Sequence, residues 1–212
     1  FKTGDNQFEL RVSSVDKRED PVVEYEGVQI KISYGEFSEY NRRIRENLES
    51  ALEYAANDKQ AQMIKKYIEY YNSGDIEVHK ESQRSWIQDK SPAVETNIGH
   101  IESYRDPLRV RGEFEGFVAV VNKEMSKKYG VLVDNAEELL KVLPWNKESS
   151  EQPFEIEKFS KPDFTSLEVL AFTTSGLPAG INIPNYPDVR EVDGFKNVSL
   201  GNVLNASAPS EE

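Results

Sequence analysis

The sequence contains no cysteine, only two histidines and no long apolar run. Without cysteine, the chain has neither a disulfide framework nor thiolate chemistry. Its apolar runs fall well short of the ~20 residues that cross a membrane, and we identify no secretory signal peptide. We therefore expect no membrane association and a cytoplasmic location.

Basic residues are also scarce relative to acidic ones. There are 26 Lys and Arg against 38 Asp and Glu, which gives a net charge of −12. Nucleic acids are poor partners for such a chain, because phosphate binding needs clustered Lys and Arg. The charge instead fits a cationic partner, or solubility alone.

The length of 212 residues allows one sizeable domain or two small ones. With 37% hydrophobic and 30% charged residues, the composition is typical of a folded globular protein. The sequence starts at Phe1 without methionine and stops in a polar stretch, residues 208–212. We expect a piece of a larger protein.

The first third changes from strand to helix periodicity. Alternation around Phe8 predicts a strand, and two alternating runs joined at Glu26 and Gly27 predict a hairpin. Apolar residues then recur at helical spacing over residues 44–55 and 63–71, with a break near Asn57. This predicts two helices or one kinked helix.

A third helix is expected directly afterwards. Gly74 is a plausible C-cap, and Asp75 can cap a helix that carries His79 and Trp86. Because no second His or Cys lies at ligand spacing, His79 is expected to have a surface or packing role.

The middle of the chain carries closely spaced carboxylates and a phenol. In extended strands Glu102 would share a face with Tyr104, and Glu113 with Glu115. Two such strands could form one polar site that attracts an ammonium group, with a phenol that donates to an oxyanion. The alternative is a rim of solvated carboxylates in which Arg105 forms a weak surface ion pair; from these residues alone this is the commoner arrangement.

The last third combines a helical stripe, a polar loop and an unusual turn. Met125 begins a stripe that continues to Leu143 and ends at Pro144, and residues 146–152 form a polar loop. Residues 167–173 have strand character. The stretch after them, residues 175–186, has two glycines and two prolines, and prolines exclude it from a central strand. We expect it at a sheet edge, although an ordinary turn linker has a similar composition.

Several segments, taken in this order, resemble one family of enzymes. They are residues 86–90 (WIQDK), 101–107 (IESYRDP), 111–123 (RGEFEGFVAVVNK), 162–167 (PDFTSL), 180–186 (GINIPNY) and 194–202 (GFKNVSLGN). They are similar to dipeptidyl peptidase III, a zinc-dependent family that removes dipeptides from the N-termini of short peptides. The chain resembles an internal piece of a fungal-type member.

The resemblance implies an α+β fold, with a β-barrel-like mixed sheet and surrounding helices, that forms most of the lower lobe of a two-lobed peptidase. Residues 1–122 would be lower-lobe strands and helices, residues 123–165 a helix and loop that reach toward the upper lobe, and residues 166–212 a lower-lobe strand and cleft segment. The full-length enzyme would use zinc and act as a monomer on short peptides with a free N-terminus. The family's zinc motif is missing from this chain, so no metal ligands are expected in it.

The resemblance also implies roles for single residues. Tyr104 would be catalytic, stabilising the oxyanion of the scissile carbonyl. The other matched positions would bind substrate: Glu102, Asn182 and Asn185 at the ammonium group, Glu115 beside them, Gly176, Pro178 and Ala179 along the peptide, and Phe172 and Arg190 as neighbouring cleft residues.

Three positions depart from the family pattern. His100 stands where a Phe is expected, Arg109 where a Gly is usual, and Pro187 where an acidic residue is common. Two alternatives stay open: a peptide-binding module without catalysis, and a relative that acts on a non-peptide substrate.

Overall fold

The structure, a computed structural model, describes residues 1–109, 111–146 and 163–207. The chain forms two compact units, Phe1–Asp89 and Lys90–Glu212. Within the described ranges, no helix combines the length and apolar character that a membrane span requires.

The first unit contains a four-stranded sheet in the order β1-β2-β4-β3. Its strands are β1 (Lys2–Gly4), β2 (Gln7–Ser13), β3 (Val23–Tyr25) and β4 (Val28–Glu36). Strands β3 and β4 form the predicted hairpin. Glu26 and Gly27 at its turn have φ of 49° and 77°, the left-handed values that tight hairpin turns require.

Three helices complete this unit: α1 (Ser38–Leu52), α2 (Asp58–Ser73) and α3 (Ile76–Gln88). The predicted break is confirmed, since the Asn57 side chain caps α2 by accepting a 2.9 Å hydrogen bond from the backbone N–H of Gln60. Gly74 ends α2 with φ 75° and Asp75 caps α3, as expected. His79 is fully buried, 4.7 Å from the ring of Tyr70, which agrees with a packing role.

The second unit contains a five-stranded mixed sheet in the order β5-β6-β7-β9-β8. Its strands are β5 (Val94–Glu102), β6 (Glu113–Val121), β7 (Asp163–Thr173), β8 (Gly180–Ile183) and β9 (Lys196–Leu200). Its helices are α4 (Lys123–Asp134), α5 (Ala136–Lys141), α6 (Pro187–Val192) and α7 (Gly201–Leu204), with a 3₁₀ turn at Pro144–Asn146. Strand β8 is at the sheet edge, as its two flanking prolines predicted.

Contacts between distant strands show that this sheet is curled. Lys196 of β9 lies 3.2 Å from a carboxylate oxygen of Glu95 in β5, and both side chains are almost completely buried. Strands β6 and β7 lie between them in the sheet order. A second link joins the two edges, since Asn185, just after β8, contacts Glu102 at the end of β5. The predicted α+β class with a barrel-like mixed sheet is confirmed.

Two sequence predictions of local structure were wrong. The single helix predicted from Met125 to Leu143 is broken at Asn135, whose φ and ψ of −98° and 9° are not helical. Both the backbone N–H and the side-chain amide of Asn135 donate to the Val131 carbonyl at the end of α4. Strand β5 stops at Glu102, so Tyr104 is in the following turn and not on the strand.

Some predictions remain untested. Residues 147–152 of the predicted polar loop and residues 208–212 lie outside the described ranges. The assignment of residues 1–122, 123–165 and 166–212 to parts of two lobes stays a prediction.

Candidate functional site

Three carboxylates lie on one face of the sheet, at the place where β5 ends and β6 begins. Glu102 pairs with Glu113 in the antiparallel register, and Glu115 pairs with Gly99. A bulge between His100 and Glu102 shifts the alternation by one residue, which places Glu102 on the face of Glu113 and Glu115. We call Glu102, Glu113 and Glu115 the acidic cluster.

The surroundings of the acidic cluster raise the pKa values of two of its carboxyl groups. Burial, followed by the charges of Glu102 and Glu113, raises the pKa of Glu115 to about 7. Burial also raises the pKa of Glu102, against a hydrogen bond from Asn185 and the charge of Arg190, which lower it. Desolvation and repulsion between like charges disfavour the ionised forms, so a cation bound here would relieve both carboxylates.

Tyr104 lies beside this cluster although it is not on the strand. Burial raises the pKa of its hydroxyl, and the charges of Glu102, Glu115 and Glu113 raise it further. Its side chain is nonetheless 66% exposed, so the phenol is open to solvent on its outer side. The structure thus brings the predicted phenol and carboxylates together.

Arg105 follows Tyr104 and partly neutralises the cluster. Its Nε lies 3.4 Å from Glu113, with the Arg105 side chain mostly exposed and that of Glu113 half-buried. It also donates to the hydroxyl of Ser175. Such a partly exposed pair is weak. The surface ion pair considered from the sequence therefore exists, but with Glu113 as partner, and it lies beside the cluster.

Two asparagines approach the cluster from the segment that follows β8. Asn185 donates a 2.6 Å hydrogen bond from Nδ2 to Oε1 of Glu102, which is 8% exposed. Asn182 is connected to Asn185 through Arg190 of α6, whose guanidinium donates to both amide oxygens. Both asparagine side chains are exposed, so a ligand can reach them.

The predicted peptide-contacting segment runs along an open sheet edge. The carbonyl of Ala179 accepts a 2.9 Å hydrogen bond from Leu200, which extends the pairing of β8 with β9. Within the described ranges no strand pairs with the other side of β8. Gly176 is exposed, with nothing within 4 Å of a Cβ built on it, and Pro178 is half-buried.

An aromatic pair borders the carboxylates. Phe172 of β7 stacks on Phe117 of β6, with ring centroids 5.8 Å apart. Phe117 follows Glu115 by two residues and therefore points to the same face. Phe172 also lines a groove of about 420 Å³ with Leu177. Phe117 is not among the site residues expected from the sequence, although the alternation that linked Glu113 and Glu115 indicates it.

The three departures from the family pattern have local explanations. Arg109 has φ 52°, a left-handed value that glycine adopts more readily. His100 packs edge-on against Phe114, at 5.4 Å, and burial lowers its pKa. Pro187 occupies the first turn of α6, where its fixed φ suits a helix start.

No three His, Cys, Asp or Glu side chains in the described part of the chain are placed to hold a metal ion together. The acidic cluster therefore does not fit a zinc site.

Comparisons with known proteins all point to one peptidase family. The model of the family described as "Peptidase family M49" matches residues 1–212. The chain is 56% identical over 207 residues to "Dipeptidyl peptidase 3" of Dictyostelium discoideum, covering 97% of this chain and 29% of that protein. It is 57% identical over 181 residues to the Homo sapiens protein of the same name, covering 85% and 24%.

A solved structure confirms the fold. "Structure of DPP III from Caldithrix abyssi" matches with a TM-score of 0.70 at 23% identity, covering 90% of this chain and 36% of that one. The chain therefore spans about a quarter to a third of the lengths of these relatives.

Proposed function

Because the chain belongs to peptidase family M49, we propose that it is the part of a dipeptidyl peptidase that binds the free amino end of a short peptide. The chain spans 29% of its Dictyostelium relative, so cleavage is proposed for the whole protein. This segment would supply substrate alignment and support for the reacting carbonyl.

The acidic cluster is the observation that carries the proposal. Arg105 pairs with Glu113 and the charge of Arg190 acts on Glu102, yet the pKa of Glu115 is still raised to about 7. An N-terminal ammonium would add a positive charge where negative charge is in excess. It would also donate a hydrogen bond to Oε2 of Glu102, because Oε1 of that carboxylate already accepts a hydrogen bond from Asn185. Charge-assisted hydrogen bonds are about twice as strong as neutral ones.

The open edge of β8 provides the path for the rest of the peptide. An extended peptide could pair with the backbone beside Gly176, Pro178 and Ala179. The peptide would then add a further strand to the sheet, a binding mode known as β-augmentation. Backbone pairing does not depend on side-chain identity, so varied sequences would bind. Specificity for a free N-terminus would come from Glu102, Glu115, Asn182 and Asn185 at the end of this path.

Tyr104 would act on the scissile carbonyl. Its exposed phenol borders the ammonium site, and a donor there would stabilise negative charge that develops on the carbonyl oxygen. Phe172, stacked on Phe117, would form an apolar wall of the same cleft.

The whole protein would be a monomer in the cytoplasm, and its zinc would be held by residues outside this chain. When bound, that metal would supply the activated water of the hydrolysis.

Peptide digestion by the full-length protein tests this function. Mass spectrometry of peptides with free N-termini should show successive release of dipeptides, whereas N-acetylated versions of the same peptides should stay intact. Release of single residues, or equal cleavage of acetylated peptides, would contradict the proposal. Binding of free peptides without cleavage would identify a non-catalytic peptide-binding module instead.

A further inference from the structure

One nitrogen of Arg190 is surrounded by oxygen atoms of its own chain. Its Nη1 lies 2.6 Å from Oδ1 of Asn182, 3.0 Å from the carbonyl of Pro184, 3.3 Å from Oδ1 of Asn185 and 3.5 Å from the carbonyl of Asn182. This nitrogen carries two N–H groups, so four acceptors exceed its donor capacity. It has no donor left for a ligand.

The rest of the guanidinium is held on an aromatic ring. Its central carbon lies 4.1 Å from the ring centroid of Phe195, a cation–π contact. Arg190 itself is half-buried in α6. The ring and the oxygen atoms together fix the position of the guanidinium.

This arrangement fixes the orientation of two amides. An amide that accepts through its oxygen presents its NH₂ group to the opposite side. In Asn185 that NH₂ donates to Glu102, and in Asn182 it donates to Asn197. Without a donor at the oxygen, only the hydrogen bond to Glu102 would orient the Asn185 amide, and the side chain could move away from the carboxylate to find another partner.

We infer that Arg190 is a positioning residue, which orients Asn182 and Asn185 through Nη1 and, through Asn185, holds Glu102 for the peptide ammonium. The inference deepens the proposed function and rests on it for the identity of the ligand. Phe195 has a part in the same positioning role, because its ring sets the plane of the Arg190 guanidinium.

Steady-state kinetics of the full-length protein test this role. Arg190→Met should raise KM for peptides with a free N-terminus about tenfold, the factor for roughly one hydrogen bond, and leave kcat almost unchanged. Arg190→Lys keeps the charge but not the planar fork, so its KM should be intermediate. Arg18→Met is the matched control, because Arg18 also stacks on an aromatic ring, 3.4 Å from that of Tyr34, but in the other unit.

Non-additivity separates positioning from direct binding. In a background that already carries Asn182→Ala and Asn185→Ala, Arg190→Met should have no further effect on KM. If Arg190 instead bound the peptide, for example its C-terminal carboxylate, the full effect would persist in that background and would disappear with C-terminally amidated peptides. That result would overturn the inference.

A crystal structure of the full-length Arg190→Met protein gives a readout that does not need activity. The Asn185 amide should be rotated or displaced, and its hydrogen bond to Glu102 should be lost. An unchanged Asn185–Glu102 hydrogen bond would refute the inference. If the wild-type protein released no dipeptides, the proposed function would fail, and this structure would still decide the role of Arg190.

Discussion

Asn185 and Glu102 are 83 positions apart in the sequence, yet the Asn185 amide donates a 2.6 Å hydrogen bond to the Glu102 carboxylate. Glu102 ends β5 and Asn185 follows β8, and these strands are the two edges of one five-stranded sheet. The contact is possible because the sheet curls. It joins the acidic cluster to the open strand edge, which are the two parts of the proposed peptide site.

Tyr104 provides a test of transition-state stabilisation. In the full-length protein, Tyr104→Phe removes one donor aimed at charge that develops only during the reaction. We expect kcat to fall by about 10²–10³-fold while KM changes little, measured by steady-state kinetics. An increase in KM with unchanged kcat would make Tyr104 a simple binding residue.

Glu115 should make the stability of the protein depend on pH. Its pKa rises from 4.5 to about 7 on folding, so the folded state binds more protons within this range. The free energy of unfolding should therefore fall as pH rises from about 4.5 to about 7. Replacement by glutamine removes the buried charge, and Glu115→Gln should stabilise the full-length protein at pH 8 by on the order of 2–3 kcal/mol.

The same substitution should have a much smaller effect at pH 5, below about 1 kcal/mol, because Glu115 of the folded protein is mostly protonated there. Unfolding by denaturant at both pH values measures the difference. Glu24→Gln is the control, because Glu24 is an exposed carboxylate in the other unit. Equal effects of Glu115→Gln at pH 5 and pH 8 would contradict the raised pKa.

The buried pair of Lys196 and Glu95 should stabilise the curled sheet only as a pair. Lys196→Met leaves a buried carboxylate without its cation and should destabilise the protein by about 3–5 kcal/mol in denaturant unfolding. The double variant Lys196→Met with Glu95→Leu should recover most of this loss.

An exposed pair serves for comparison. Lys66 lies 2.7 Å from Glu69 with both side chains well exposed, so Lys66→Met should cost less than about 1 kcal/mol. A similar cost for Lys66→Met and Lys196→Met would show that the buried pair has no special role in the sheet.

Features set by local interactions were predictable from the sequence. The turn at Glu26 and Gly27, the helix break at Asn57, the cap at Asp75 and the edge position of β8 each depend on a few adjacent residues. The resemblance further indicated which residues to expect in the site. The structure brings Glu102, Glu115 and Tyr104 together, although their roles stay predictions.

Other features depend on contacts between distant residues and could not be predicted from local patterns. Simple alternation puts Glu102 on the face opposite Glu95, and only the bulge after His100 returns it to the same face. The curl that joins Lys196 to Glu95 depends on the whole sheet. At Asn135, apolar helical spacing continues through a break in the helix, so the spacing did not reveal it.

The central claim is that Glu102 meets the ammonium group of the peptide. Its most direct test is calorimetric titration of one peptide, free and N-acetylated, into full-length wild-type protein and Glu102→Gln, both depleted of metal to prevent cleavage. Glu24→Gln serves as the control. Together these measurements form a double-mutant cycle. We predict that Glu102→Gln weakens binding of the free peptide far more than that of the acetylated peptide, with a coupling free energy of about 1.5–3 kcal/mol, as for hydrogen bonds to charged groups. A coupling free energy near zero would contradict the account, because Glu102 would then not contact the ammonium.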